Sequence, residues 1–431
     1  MSKTALIWLT AYGTGAVFAF ASPVYGLYAY FLDYYAHPPL RWWGKELPDL
    51  RWSFIIAIVT LVAFVIRRTD LPQRTARRHP QTKWLVLLMV NVFLVDRFLA
   101  VWDEKSWEQL MDLFKFAVLY FIIIAVVRTP KHFRYLILAQ ILGVTYWGWN
   151  AFSNPKREAG RLVNIGGPDS LNDNGAASII VAILPLIAVV LLTGKRWEKL
   201  ACLLAVPFVF NAFILCNSRG AFVALVVVAV AALLMTKGAV RWKLVLGLAI
   251  GAIVFVSLMD PEFKARQQTT VSDKMDTSSS NRILLWKGAV QLTRDHPFGT
   301  GGGGFLFLSP TYAPEVVEAS GGRRAVHNTY LLGAADWGVP GLVFFMGFLI
   351  ATILELHRLR RDPPLTPEEK TMHIQSLGIE LGLIGLMVVG IFASRFYAEA
   401  VYWFPAFTAA LRNLHADQRR EAADQNQALA N

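Results

Sequence analysis

A chain of 431 residues that is 55% hydrophobic, with mean hydropathy +0.43, supplies many apolar stretches of the roughly 20 residues a helix needs to cross about 30 Å of hydrocarbon. These figures exclude an ordinary soluble domain and point to an all-α polytopic membrane protein. The net charge of +12 would suggest nucleic acid in a soluble chain. Here the basic residues gather in short loops between apolar runs, where they set membrane orientation, so no nucleic-acid partner is expected.

In chain order the pattern predicts about twelve transmembrane helices. They cover 5–22 (with an aromatic, broken continuation to 36), 51–67, 83–101, 112–127, 134–150, 175–193, 198–216, 220–236, 242–259, 329–356, 376–394 and 396–412. The first is read as a retained span, because no small-residue cleavage site follows it. Cys202 and Cys216 fall in one apolar run, about 21 Å apart along a helix and too distant for a disulfide.

Alternate connections carry the basic residues: Arg67, Arg68, Arg74, Arg77, Arg78 and Lys83; Arg128, Lys131 and Arg134; Lys195, Arg196 and Lys199; Lys237, Arg241 and Lys243; Arg358, Arg360 and Arg361. The positive-inside rule makes that side the cytoplasm, and an even span count returns both termini there. The organisation expected is nine spans within 1–259, a periplasmic loop at 260–326, three spans within 327–412, and a cytoplasmic tail at 413–431.

The outer side then receives the acidic DEKSWEQLMD segment, the NPKREAGRLVNIGGPDSLNDN loop, the NSRG and ASRFY turns and the long insertion. Within the insertion, SSSNRILLWKGAVQLTRDHPFG has N-capping serines and places Ile283, Trp286 and Val290 at helical spacing, which predicts one short amphipathic helix on the membrane surface. The polar segment before it is expected to be mobile. The TGGGGF run is either a flexible joint or a place where main chain approaches a ligand; without a following Gly-Lys-Ser/Thr it is no P-loop.

Five arginines and one histidine stand at this outer edge: Arg161, Arg219, Arg282, Arg324, Arg395 and His327. Guanidinium groups stay charged and hold two phosphate oxygens each, while a neutral imidazole can take a proton from a hydroxyl. The plainer reading of an arginine at a helix end is an anchor in phospholipid headgroups, and that of the histidine a cap or interfacial residue. The ionisable residues Asp96, Arg97, Lys115 and Glu399 lie in the outer third of the spans, where they either pair with one another or line a substrate cavity. No metal-ligand spacing occurs in the outer loops, so no metal or other cofactor is expected.

The NSRGAF turn, the NRILLW helix followed by HPFGTGGGGF, and HNTYLLGAADWGVPG opening a span resemble the O-antigen ligase and polymerase family of bacterial envelope glycosyltransferases, most clearly from Leu162 to Phe345. The SPVYGLYAYFLDYYAHPP segment is also weakly similar to members found beside exosortase systems. The resemblance implies transfer of a glycan from an undecaprenyl diphosphate carrier to an acceptor hydroxyl at the outer face of the inner membrane, with membrane lipid around it. The acceptor is lipid A core in ligases, a carrier-linked chain in polymerases, and protein in a third branch. On this sequence it implies His327 as the catalytic residue and Arg219 and Arg282 as diphosphate ligands, to which Arg161 and Arg395 are added by position. Arg97, Asn328 and Arg324 are candidates for the substrate cavity. Asp336 stands where the family more often has glutamate. A flippase is the alternative from another class, but no repeated halves with interrupted helices are visible.

Overall fold

The computed structural model describes residues 1–69, 79–158, 161–259 and 277–430, the side chains at 161, 277–279 and 425–430 excepted. Among these residues the chain is helical apart from one two-residue strand pair. The expected apolar runs fall on α1 (Lys3–Ala19), α3 (Trp52–Ile66), α4 (Pro80–Leu99), α5 (Asp103–Val126), α6 (Pro130–Ser153), α7 (Asp173–Thr193), α8 (Arg196–Cys216), α9 (Arg219–Met235), α10 (Gly238–Leu258), α14 (Thr329–Leu359), α15 (Pro367–Phe392) and α16 (Glu399–Ala430). The aromatic continuation of the first run is a separate helix, α2 (Val24–Ala36). Six of these helices, α5, α7, α8, α10, α14 and α15, are long and apolar enough to cross a membrane by length and composition, and α3 and α9 are shorter apolar helices. Residues Arg74, Arg77 and Arg78 and most of the polar segment before Thr277 lie outside the described residues.

One apolar core runs through α2, α4–α9 and α14–α16, and a smaller one joins Trp8, Tyr12, Trp43 and Ile56 where α1, α2 and α3 meet. Of the apolar stretch of α7, 78% is buried, against 6% for α10, so α7 is central and α10 stands at the periphery. The DEKSWEQLMD segment, expected as a loop, is the first turns of α5, with Asp103 and Glu104 at the positive end of the helix dipole. The polar C-terminal tail likewise continues α16, and Arg419 ties it to Glu369 at the start of α15.

The described part of the insertion holds three helices rather than one: α11 (Thr277–Asp295), α12 (Gly304–Tyr312) and α13 (Pro314–Ser320). Leu285, Ala289 and Leu292 of α11 form a separate apolar cluster with Phe305, Ala313, Val316, Val326 and Ala335. The buried face is therefore not the predicted one, since Ile283 and Val290 are exposed and Trp286 is only partly buried. Both stripes have helical spacing, and only the packing partner decides which faces inward.

Candidate functional site

The framework of the site begins at a break in α14. Gly338 has φ 77° and ψ 174°, a conformation closed to residues with a Cβ, and Pro340 carries no N–H. The carbonyl of Asp336 therefore has no partner four residues on, and it accepts from the Thr300 and Gly301 amides instead, at 3.1 and 2.9 Å. The Asp336 carboxylate is fully buried and accepts from Gly303 N–H at 3.1 Å, Phe305 N–H at 3.2 Å and Tyr397 O–H at 3.0 Å. The glycine-rich run is thus neither a flexible joint nor an open cradle: Gly303 and Phe305 N–H donate to the Asp336 carboxylate, Gly302 N–H to the Ser106 hydroxyl at 3.1 Å, and Thr300 and Gly301 N–H to the Asp336 carbonyl. Gly301 has φ 82°, and a Cβ there would meet Ala100 Cα at 2.7 Å, so glycine is required for the close approach. Asp336, nine residues after His327 in the sequence, points to this loop and not to the imidazole.

On this base rests α11. Trp286 donates its indole N–H to the Val326 carbonyl at 3.1 Å, which ties the helix to the residue before His327. Arg282 lies one turn earlier on the same face of α11 and is half-buried. His327 itself takes a left-handed φ of 54°, uncommon for a residue with a side chain, and is exposed. Asn328 then caps α14, its side-chain oxygen accepting from Tyr330 N–H at 2.9 Å and Leu331 N–H at 3.0 Å.

Three helix starts meet beside this histidine. Asn172 caps α7, Ser218 caps α9 and Asn328 caps α14. Ser218 also donates to the Asn174 side chain at 2.7 Å, which joins the first two. Gly220 packs against Phe392, and the neighbouring Ala393 carbonyl accepts from Thr329 O–H at 2.7 Å, which brings in the third. Arg219, at the first position of α9 and half-buried, belongs to this junction. Although His327 is exposed, partial desolvation of its imidazole holds its pKa below the ordinary value. Arg282 and Arg324 push it the same way, and Asp173 opposes them. In the sequence, Asp173 is marked by nothing more than the NDN capping signature ahead of an apolar run.

The remaining predicted residues distribute differently. Arg324 is exposed and donates to the Ser320 carbonyl at 3.2 Å. Its neighbour Arg323 lies over the Phe307 ring at 4.5 Å. Arg395 is buried, with its guanidinium donating to the Asp169 carbonyl and the Ser170 hydroxyl, both at 2.9 Å. It fastens the loop that leads into α7, and so differs from the open phosphate ligand expected of it. Arg161 stands in the strand pair β1 (Arg157–Glu158) and β2 (Arg161–Leu162), opposite Glu158; its side chain lies outside the described residues. Arg97 pairs with Asp96 at 2.8 Å and lies over the Trp107 ring at 5.1 Å. Lys115 pairs with Asp112, whereas the buried Glu399 accepts from Tyr30 O–H, so the four embedded charges do not form one set. Among the described residues no three His, Cys, Asp or Glu side chains gather as metal ligands would.

Residues 204–346 match the family model described as O-antigen ligase, a third of the chain that contains Arg219, Arg282, Arg324, His327, the glycine-rich run and Asp336. No curated protein matches the chain.

Proposed function

We propose, from the match of residues 204–346 to the O-antigen ligase family model, that the protein moves a glycan from undecaprenyl diphosphate to a hydroxyl of lipid A core at the periplasmic face of the bacterial inner membrane. The observation that carries this reading is the junction of α7, α9 and α14, where an exposed imidazole stands in the field of Arg282 and Arg324 within the family-matched segment. In this reading twelve helices span the membrane, both termini are cytoplasmic, and the 260–326 loop covers the site from outside.

The acceptor hydroxyl attacks the anomeric carbon of the donor sugar, and the bond from that carbon to the carrier diphosphate breaks. The hydroxyl proton passes to His327, which acts as general base. The bonding electrons leave with the diphosphate, where Arg219 and Arg282 take up the growing negative charge as charge-assisted hydrogen-bond donors. A lowered pKa suits this task, since it keeps the imidazole neutral at physiological pH. Arg324 and Asn328, which flank His327 in the chain, are assigned to contacts with donor or acceptor sugars. Arg395 and Asp336 act as positioning residues, through the loop into α7 and the loop beneath α11. Arg161 and Arg97 are assigned to the outer rim on their place in the chain. No metal takes part.

His327→Ala should lower transfer by roughly 10²–10⁴ while carrier-linked glycan accumulates on the outer face. Accumulation on the cytoplasmic side would mark a flippase and overturn the proposal. Glycan gels of a deletion strain separate the acceptors: a ligase defect strips polymer from lipid A core, a polymerase defect leaves single repeats, and loss of a protein glycosyltransferase spares both.

A further inference from the structure

At the opposite end of the helices from His327, separated from it by the length of α7, about 30 Å, lies a cavity of about 400 Å³. Lys131, Arg134 and Tyr135 of α6, Lys195 ahead of α8, and Glu368 and Met372 of α15 line it. That volume lies within the range of ordinary ligand sites. Three helices begin here, with Thr129 capping α6, Lys195 ahead of α8 and Thr366 capping α15, so their positive dipole ends converge on the same space.

The cations are not equivalent. Arg134 is bonded to Glu198, a buried carboxylate that also accepts from the Lys195 amide, so this pair is part of the frame. Lys131 and Lys195 are exposed, and Lys131 lies over the Tyr135 ring at 5.9 Å. Glu368 is the one acidic group in the lining. Trp197 and Leu200, on the first turns of α8 just after Lys195, are exposed apolar side chains. A cationic hollow with an apolar flank suits a ligand with a phosphate head and a hydrocarbon body.

We infer that this cavity binds the phosphate of an anionic phospholipid of the leaflet facing it, with Lys131 and Lys195 as the ligand-facing cations. The site is independent of glycan transfer chemistry and touches none of its residues.

The test uses the full-length protein in nanodiscs of phosphatidylethanolamine, alone or mixed with phosphatidylglycerol or cardiolipin, released into native mass spectrometry beside a Lys131→Gln/Lys195→Gln variant. Arg134 is left intact because removing it would strand buried Glu198. Wild type should retain the anionic lipids in preference to phosphatidylethanolamine. The variant should retain them about tenfold less or weaker still, as expected for two cations at a charged surface, with an unchanged unfolding temperature in lipid-free detergent. Inorganic phosphate is the second arm: if it alone raises the unfolding temperature of wild type and not of the variant, the phosphate site stands and its source is soluble. Equal retention by both proteins together with no response to phosphate, or retention that ignores the headgroup, would overturn the inference.

Discussion

Asp336→Ala should loosen the subdomain formed by α11, α12 and α13 without touching His327. The carboxylate serves two buried backbone amides, Gly303 and Phe305, and the Tyr397 hydroxyl. A buried donor left without an acceptor costs about 1–3 kcal/mol. Tyr397 can turn its O–H elsewhere, so the two amides set the scale, roughly 2–6 kcal/mol for alanine. Asp336→Asn keeps one oxygen for Gly303 and Tyr397 but turns an NH2 toward the Phe305 amide, which leaves one donor unpaired at about 1–3 kcal/mol. Equilibrium unfolding in mixed micelles should therefore rank wild type above Asn and Asn above Ala. Glycan transfer should fall in the same order, because the clamp carries the cluster of Leu285, Phe305 and Val326 that seats α11 beside His327. If both variants unfold within about 0.5 kcal/mol of wild type, the level of an ordinary surface substitution, the clamp does not hold the subdomain.

Two further outcomes concern the chemistry. The imidazole of His327 is held below its ordinary pKa, and only its neutral form accepts a proton, so transfer should decline as pH falls through a value under about 6.5. Arg324→Gln removes one of the cations that lower it; the acidic limb of the rate profile should then move to higher pH by a fraction of a unit, and a limb that stays put or moves down would remove His327 from the base role. Purified protein given carrier-linked donor and lipid acceptor should work at full rate in excess EDTA, whereas recovery of activity on adding a divalent ion would reject the metal-free reading.

The tetraglycine run shows where sequence reasoning stops. Its permissive backbone is plain, but the choice between a joint and a ligand cradle depends on Asp336, thirty-odd residues on, whose carbonyl is freed by Pro340 and whose carboxylate takes up the Gly303 and Phe305 amides. The same holds for α11: spacing gave a helix, and its two apolar stripes left the buried face undecided until Phe305 and Val326 supplied a partner. Arg219 and Arg395 looked alike as arginines in tight outer turns. Folding leaves Arg219 in the junction of three helix starts and draws Arg395 inward to Asp169 and Ser170.

What the sequence determined alone is what depends on local composition: helices at the apolar runs, the clustering of basic residues in five of the connections, and a segment, 204–346, that matches the O-antigen ligase family model. Period and hydropathy are properties of neighbouring residues, so they survive without a fold. Only the tertiary structure decided which charges meet: that Asp173, Arg282 and Arg324 share the field of one imidazole, and that Asp336 serves a loop instead. Most of these pairings join residues far apart in the chain, Asp173 to His327 and Asp336 to Gly303 among them. They are set by the packing of α7, α9, α11 and α14, which no local pattern encodes.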